Sequence, residues 1–152
     1  MTVYGPATNA KISATKEWWS SEDDGGTWCV VKARATSNTV NGNGPAYFGW
    51  VETNDYSGPW CRIVRSSSGV GFDAGTILAS GPAQPMNEDR ISIEVNGTSL
   101  TLKNETTSTV LCTATDATYT TGYWMNVAGL TPIFASYDVT AEYYPLFFGA
   151  GL

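Results

Sequence analysis

Two groups of side chains in this sequence have the types and spacing to do chemistry. Tyr56 and Trp60 flank a Gly58-Pro59 turn, with Asn54 and Asp55 beside them and Arg62 two residues beyond Trp60. Aromatic rings stack on the apolar face of a pyranose while Asp, Asn or Arg hold its hydroxyls, so this set is a candidate sugar-binding edge. Its competing reading is structural, with Trp60 in the core and Tyr56 packing the turn. The second group is Trp18-Trp19. Adjacent strand residues face opposite ways, so one of these indoles points away from a core and toward a ligand or a subunit.

Catalytic chemistry is harder to assemble. The chain of 152 residues has no histidine, which excludes Ser-His-Asp and Cys-His nucleophilic sites in their usual form and any His-ligated zinc or iron. Gly69-Val70-Gly71 is not followed by Gly-Lys-Ser/Thr, so it is no phosphate loop. The acids Glu22, Asp23 and Asp24 are adjacent in a polar run and do not converge from one face of a strand. With Asp138 they offer hard oxygen ligands, which makes Asp23, Asp24 and Asp138 a weak calcium candidate, but the spacing matches no EF-hand. A solvated acidic loop is the simpler reading. No metal, cofactor or enzymatic activity is expected.

The composition bounds the partners. Eight basic and 14 acidic residues give a formal net charge of −6, and an acidic domain repels a phosphate backbone, so no nucleic acid is expected. No apolar run approaches a membrane span, and the start, Met1-Thr2-Val3-Tyr4-Gly5-Pro6, lacks the basic and apolar regions of a secretory signal. Export by lysis or within an assembled particle is the expectation. Cys29, Cys61 and Cys112 are odd in number and widely spaced. They read as buried thiols acting as small hydrophobes, with one disulfide plus a free thiol as the alternative. The sequons at Asn96 and Asn104 matter only in a eukaryotic secretory route. Six Trp and eight Tyr exceed what a core of this size takes, so some are expected at a surface or interface.

The elements that must position these residues read as strands. Strand patterns run over Thr27–Thr36, Ala46–Glu52, Trp60–Arg65, a weaker stretch ending near Ala79, Thr109–Thr113, Tyr123–Val127 and Phe134–Tyr144. Arg90–Val95 and Thr98–Leu102 alternate around Asn96-Gly97, the strongest short-range hairpin signal, with both central residues expected at positive φ. No apolar helical period persists. Turn signals every 8–12 residues predict an all-β antiparallel β-sandwich. The chain reads as one domain, with residues 1–26 as an N-terminal arm or loop and 145–152 as an apolar tail. Leu146, Phe147 and Phe148 in that tail either close the domain's own core or insert into a neighbouring subunit.

In combination, several segments resemble the concanavalin A-like lectin and glucanase jelly roll in its laminin-G-like branch. These are Tyr47-Phe48-Gly49-Trp50, Trp60-Cys61-Arg62-Ile63-Val64, Arg90 to Gly97, Asp116 to Thr118 with Gly122, and Phe134 to Val139 with Asp138. Tyr123 and Trp124 depart from that pattern, where the family often has a small residue. The resemblance implies the fold, and a role among sugar or protein binders, glycan-cleaving enzymes and virion modules. The glucanase branch carries a Glu-x-Asp-x-x-Glu type strand, with carboxyls about 5–5.5 Å apart for retention, and no such pattern exists here. The expected function is therefore a non-enzymatic bacteriophage virion protein, a capsid decoration or minor tail module with glycan or host-surface binding. Homo-oligomers or other virion proteins would be its partners, and the particle its location. A free-standing carbohydrate-binding module or lectin is the alternative, and a glycoside hydrolase with an unrecognised carboxylate pair is a second.

Overall fold

A computed structural model describes residues 3–15, 27–36, 44–53, 61–67, 74–83, 89–128 and 139–143. They form eleven strands: β1 (Val3–Ala7), β2 (Ala10–Thr15), β3 (Thr27–Ala35), β4 (Ala46–Thr53), β5 (Cys61–Ser66), β6 (Thr76–Gly81), β7 (Arg90–Asn96), β8 (Ser99–Asn104), β9 (Thr109–Thr115), β10 (Gly122–Ala128) and β11 (Val139–Tyr143). The described residues contain no helix, hence none long and apolar enough to cross a membrane. One sheet has six strands in the order β1-β10-β3-β4-β5-β6, and the other has five in the order β11-β2-β7-β8-β9. Every pairing is antiparallel. The architecture is the expected all-β antiparallel sandwich.

The core follows from period-2 alternation. Ile91, Ile93 and Val95 of β7 and Leu100 and Leu102 of β8 face Val31, Ala33, Tyr47, Val51, Cys61 and Ile63 of the six-stranded sheet, all fully buried. Gly49 sits where the two layers pack closely. A Cβ there would lie 2.5 Å from Leu102 Cδ1, 3.0 Å from Val31 Cγ2 and 3.3 Å from the Ile93 Cβ.

Residues 3–15 correct the expectation of an N-terminal arm. They supply β1, paired with β10 in one sheet, and β2, inserted between β11 and β7 in the other. Their short strands, Val-Tyr-Gly-Pro-Ala and Ala-Lys-Ile-Ser-Ala-Thr, are rich in small residues, and Ile12 is fully buried. The apolar period is therefore faint, and tertiary pairing supplies what propensity does not.

The β7–β8 hairpin forms, but its turn sits one residue later than the Asn96-Gly97 signal implies. Asn96 pairs with Ser99, which leaves Gly97 and Thr98 as the central residues. Only Gly97 has a positive φ, +60°, the arrangement of a turn with glycine first. This register sets Val95 opposite Leu100 and Ile93 opposite Leu102, and the Gly97 N–H donates to Asn9 Oδ1 at 2.9 Å. An apolar cross-strand pair and an external acceptor outweigh the local preference.

Candidate functional site

The described residues present three polar or aromatic clusters. The first lies at the end of the sandwich where the β1–β2, β7–β8 and β9–β10 connections meet. Its anchor is Arg34. Along β3, Ala35 pairs with Tyr123 and Lys32 with Met125, so Ala33 and Arg34 together oppose Trp124. That is a β-bulge, and Arg34 within it has φ +49°. A bulge re-aims a side chain, and here it directs the guanidinium, 1% exposed as a residue, onto main-chain carbonyls of three loops. Nε and Nη2 donate to Thr8 O, Nη1 to Tyr119 O at 2.7 Å, and Nη2 also to Gly97 O at 2.8 Å. Burial lowers the Arg34 pKa, yet guanidinium stays protonated in proteins.

Next to it, Asp116 organises a second tier. Its Oδ1 accepts from Tyr47 Oη at 2.6 Å and from the Thr118 N–H at 2.8 Å, the latter an Asx-turn. Its Oδ2 accepts from Arg65 Nη1 at 2.6 Å. That same Nη1 donates to Thr118 Oγ1 at 2.9 Å. The Tyr119 N–H donates to Tyr47 Oη at 2.9 Å, and Tyr119 Oη donates to Ser66 O at 2.6 Å. The two tyrosine rings meet tilted, with centroids 5.2 Å apart. The Arg65 side chain is 33% exposed and that of Asp116 10%. The hydrogen bonds from Arg65 to these described side chains run from Nη1, which leaves the three N–H donors of Nε and Nη2 on a pinned, planar group whose side chain is partly exposed, beside exposed Thr118.

The electrostatics give this cluster a pH signature. Burial and the hydrogen bond to Asp116 push the Tyr47 hydroxyl up to about 12. Burial raises the Asp116 carboxyl, but hydrogen bonds from Tyr47 and Thr118 and the Arg65 charge outweigh it and hold the group below the usual carboxylate range. Because the folded Tyr47 pKa exceeds the unfolded 10.0, its contribution to stability is intact below pH 10 and is lost as the pH rises through about 12. For Asp116 the sign is opposite: its contribution holds above the unfolded carboxylate pKa and is lost as pH falls through the lower folded value. We expect Tyr47→Phe to show a smaller fall in urea midpoint between pH 9 and pH 11.5 than the wild type, and Asp116→Asn a smaller fall on acidification. Parallel curves would show that neither group titrates with unfolding.

The second cluster lies on the outer face of the six-stranded sheet. Trp50 pairs with Arg62 across β4 and β5, and the Arg62 guanidinium stacks 3.8 Å from the indole centroid. Lys32 Nζ lies 5.5 Å from the Phe48 ring centroid on the neighbouring row, and burial lowers its pKa. Phe48 and Lys32 are buried and Trp50 is 9% exposed, so these rings are covered.

The third cluster is on the outer face of the five-stranded sheet. Glu105 accepts from Lys103 Nζ at 2.8 Å and Ser92 Oγ at 2.8 Å, and Lys11 Nζ lies 3.4 Å away. Arg90 Nε donates to Ser13 Oγ at 2.9 Å. Its charges are largely paired with one another. Asn104, one of the two sequon residues, is buried and donates to Asp89 Oδ2 at 2.7 Å, so it is closed to modification in the folded domain.

Of the candidates read from the sequence, Arg62 alone is described, and it stacks on Trp50 near the start of β5. Asn54, Asp55, Tyr56 and Trp60 belong to the connection between β4 and β5 and lie outside the described residues, as do Trp18, Trp19, Leu146, Phe147, Phe148, Asp23, Asp24 and Asp138. Among the described residues no group of three or more His, Cys, Asp or Glu could hold a metal ion. Sequence reasoning missed Arg34, Tyr47, Arg65, Asp116, Thr118 and Tyr119 as a unit. The available signals were Asp-x-Thr at the end of an alternating strand, and arginines placed inside apolar strands of a chain with only eight basic residues.

No family profile matches the chain, and no curated protein matches it. Among solved structures, the carbohydrate-binding module CBM66 from Bacillus subtilis is similar, with a TM-score of 0.57 at 13% identity, over 90% of this chain and 71% of that one. This likeness extends the sandwich architecture to a known structure. At that identity it carries the fold and no residue roles.

Proposed function

We propose that the domain is a non-catalytic carbohydrate-binding module whose contact surface is the loop end built around Arg65. The observation that carries this reading is the Arg65 fork: one nitrogen is pinned to Asp116 and Thr118, and the remaining donors sit on a partly exposed side chain beside the partly buried Tyr119 and an exposed threonine. Fixed polar donors next to aromatic rings are what sugar hydroxyls and pyranose faces require, and the similar solved structure is named as a carbohydrate-binding module. Mounting many copies on a bacteriophage particle would turn weak glycan contacts into avidity. That placement rests on the sequence alone.

The test is a glycan array followed by calorimetric titration of the strongest ligand. The wild type should bind at least one glycan. Arg65→Lys keeps the charge but loses the fork, so it should bind about tenfold more weakly with a urea midpoint close to that of the wild type. Trp60→Ala examines the β4–β5 connection separately. A loss with Trp60→Ala and none with Arg65→Lys would move the site there. No binding by folded wild type to any glycan would sink the proposal, and reducing ends released from a polysaccharide panel would identify a hydrolase instead.

A further inference from the structure

Two thiols from opposite layers meet inside the sandwich. Cys61 opens β5 in the six-stranded sheet and Cys112 lies in β9 of the five-stranded one, and both are buried free thiols. Three features bring them together. Leu102 pairs with Cys112 and Lys103 with Val110, so Leu111 is an extra, bulged residue, and Leu111 and Cys112 are both buried in succession. Strands β5 and β6 both contact β9 across the sandwich, and Gly81 of β6 packs on the Leu111 carbonyl where no Cβ would fit. The Cys61 thiol donates to Gly81 O at 3.3 Å and lies 3.8 Å from Leu111 O, the carbonyl of the residue that precedes Cys112, and the two thiols interact electrostatically.

We propose that Cys61 and Cys112 form an inter-sheet disulfide when the domain matures under oxidising conditions. The register selects this pair over its rival in the same sheet. Cys29 pairs with Val51, and Val51 pairs with Cys61, so an entire strand separates Cys29 from Cys61. Two strand spacings amount to about 9–10 Å, beyond the reach of a disulfide.

The oxidant is a low-molecular-weight disulfide acting on the chain as its sheets close. The Cys61 thiolate attacks one sulfur of that disulfide and expels a thiolate. The Cys112 thiolate then attacks the Cys61 sulfur of the mixed disulfide and expels the second. Two electrons pass to the reagent, and the two protons given up by Cys61 and Cys112 end on the two small thiols released. The bridge closes a loop of about 50 residues, long enough for a large constraint on the unfolded chain.

The experiment refolds the full chain in oxidised and reduced glutathione, alkylates remaining thiols under denaturing conditions, and maps unreduced peptides by mass spectrometry. The expected map joins the Cys61 and Cys112 peptides and leaves Cys29 alkylated. The oxidised wild type should melt roughly 10 °C above the same protein in dithiothreitol. Cys29→Ser should keep both the bridge and the rise, and Cys112→Ser should lose both. If Cys112→Ser fails to fold, the wild-type map still decides. Recovery of Cys61 and Cys112 as alkylated thiols, or a bridge that includes Cys29, would overturn the assignment.

Discussion

Arg34→Ala should destabilise the domain by ~3 kcal/mol, lowering the melting temperature by roughly 10 °C. The guanidinium joins carbonyls of Thr8, Gly97 and Tyr119, which belong to three different connections. Hydrogen bonds to a charged group each contribute about 1.5–3 kcal/mol, and water entering the vacated space would recover part of that loss. Arg34→Lys tests whether charge or shape matters. A single ammonium cannot span three divergent carbonyls, so it should recover less than half of the loss. The bulge adds a control. Arg34 sits at φ +49°, a region that Asn tolerates better than most side chains. Arg34→Asn should therefore be less harmful than Arg34→Ala, although both lose the guanidinium. Urea titration of the four proteins decides. A change below about 1 kcal/mol for Arg34→Ala would mean that the loops are held by other contacts.

Gly49→Val should cost roughly 3 kcal/mol or more, the upper range for forcing volume into a packed interior. Here the added carbon meets Leu102, Val31 and Ile93 at once. The Leu102 methyl is the end of a flexible side chain and can move. The Ile93 Cβ belongs to the central strand of the opposite sheet and cannot without moving β7. Gly49→Ala should therefore be milder, and Leu102→Val should relieve it. The double variant Gly49→Ala with Leu102→Val should be less destabilised than the sum of its singles, a coupling expected only for groups in contact. Additive losses in the urea midpoints would place Leu102 away from Gly49.

Much of the fold is legible in the sequence, because its central strands carry strong β-branched and aromatic content with clean alternation. Ala46–Thr53, Arg90–Asn96 and Ser99–Asn104 fall where the patterns place them. Strands β1 and β2 are not legible, since Gly5, Pro6 and the alanines hide the period. The Asn96-Gly97 signal finds the hairpin and misses its register, which depends on Leu100 and Asn9, residues outside the local window. The loop-end cluster is the least legible part. Arg34, Arg65 and Asp116 come from strands and connections far apart in the chain, and only the pairing of sheets brings them together. A bulge is what turns Arg34 from an expected outward position, and bulges leave no simple composition cue. The candidate set at Tyr56 to Trp60 lies outside the described residues, and the adjoining Arg62 is found against the Trp50 indole.

The Arg34 network also carries information about time. Its partners lie 26, 63 and 85 residues away. Closing such loops is entropically costly until most of the sandwich already exists. On a ribosome, Arg34 emerges early, but its full set of partners does not exist until Tyr119 has been made. The residue that joins the ends of the two sheets is therefore a late latch: it takes no part in starting the fold and comes into play only once the fold is nearly complete.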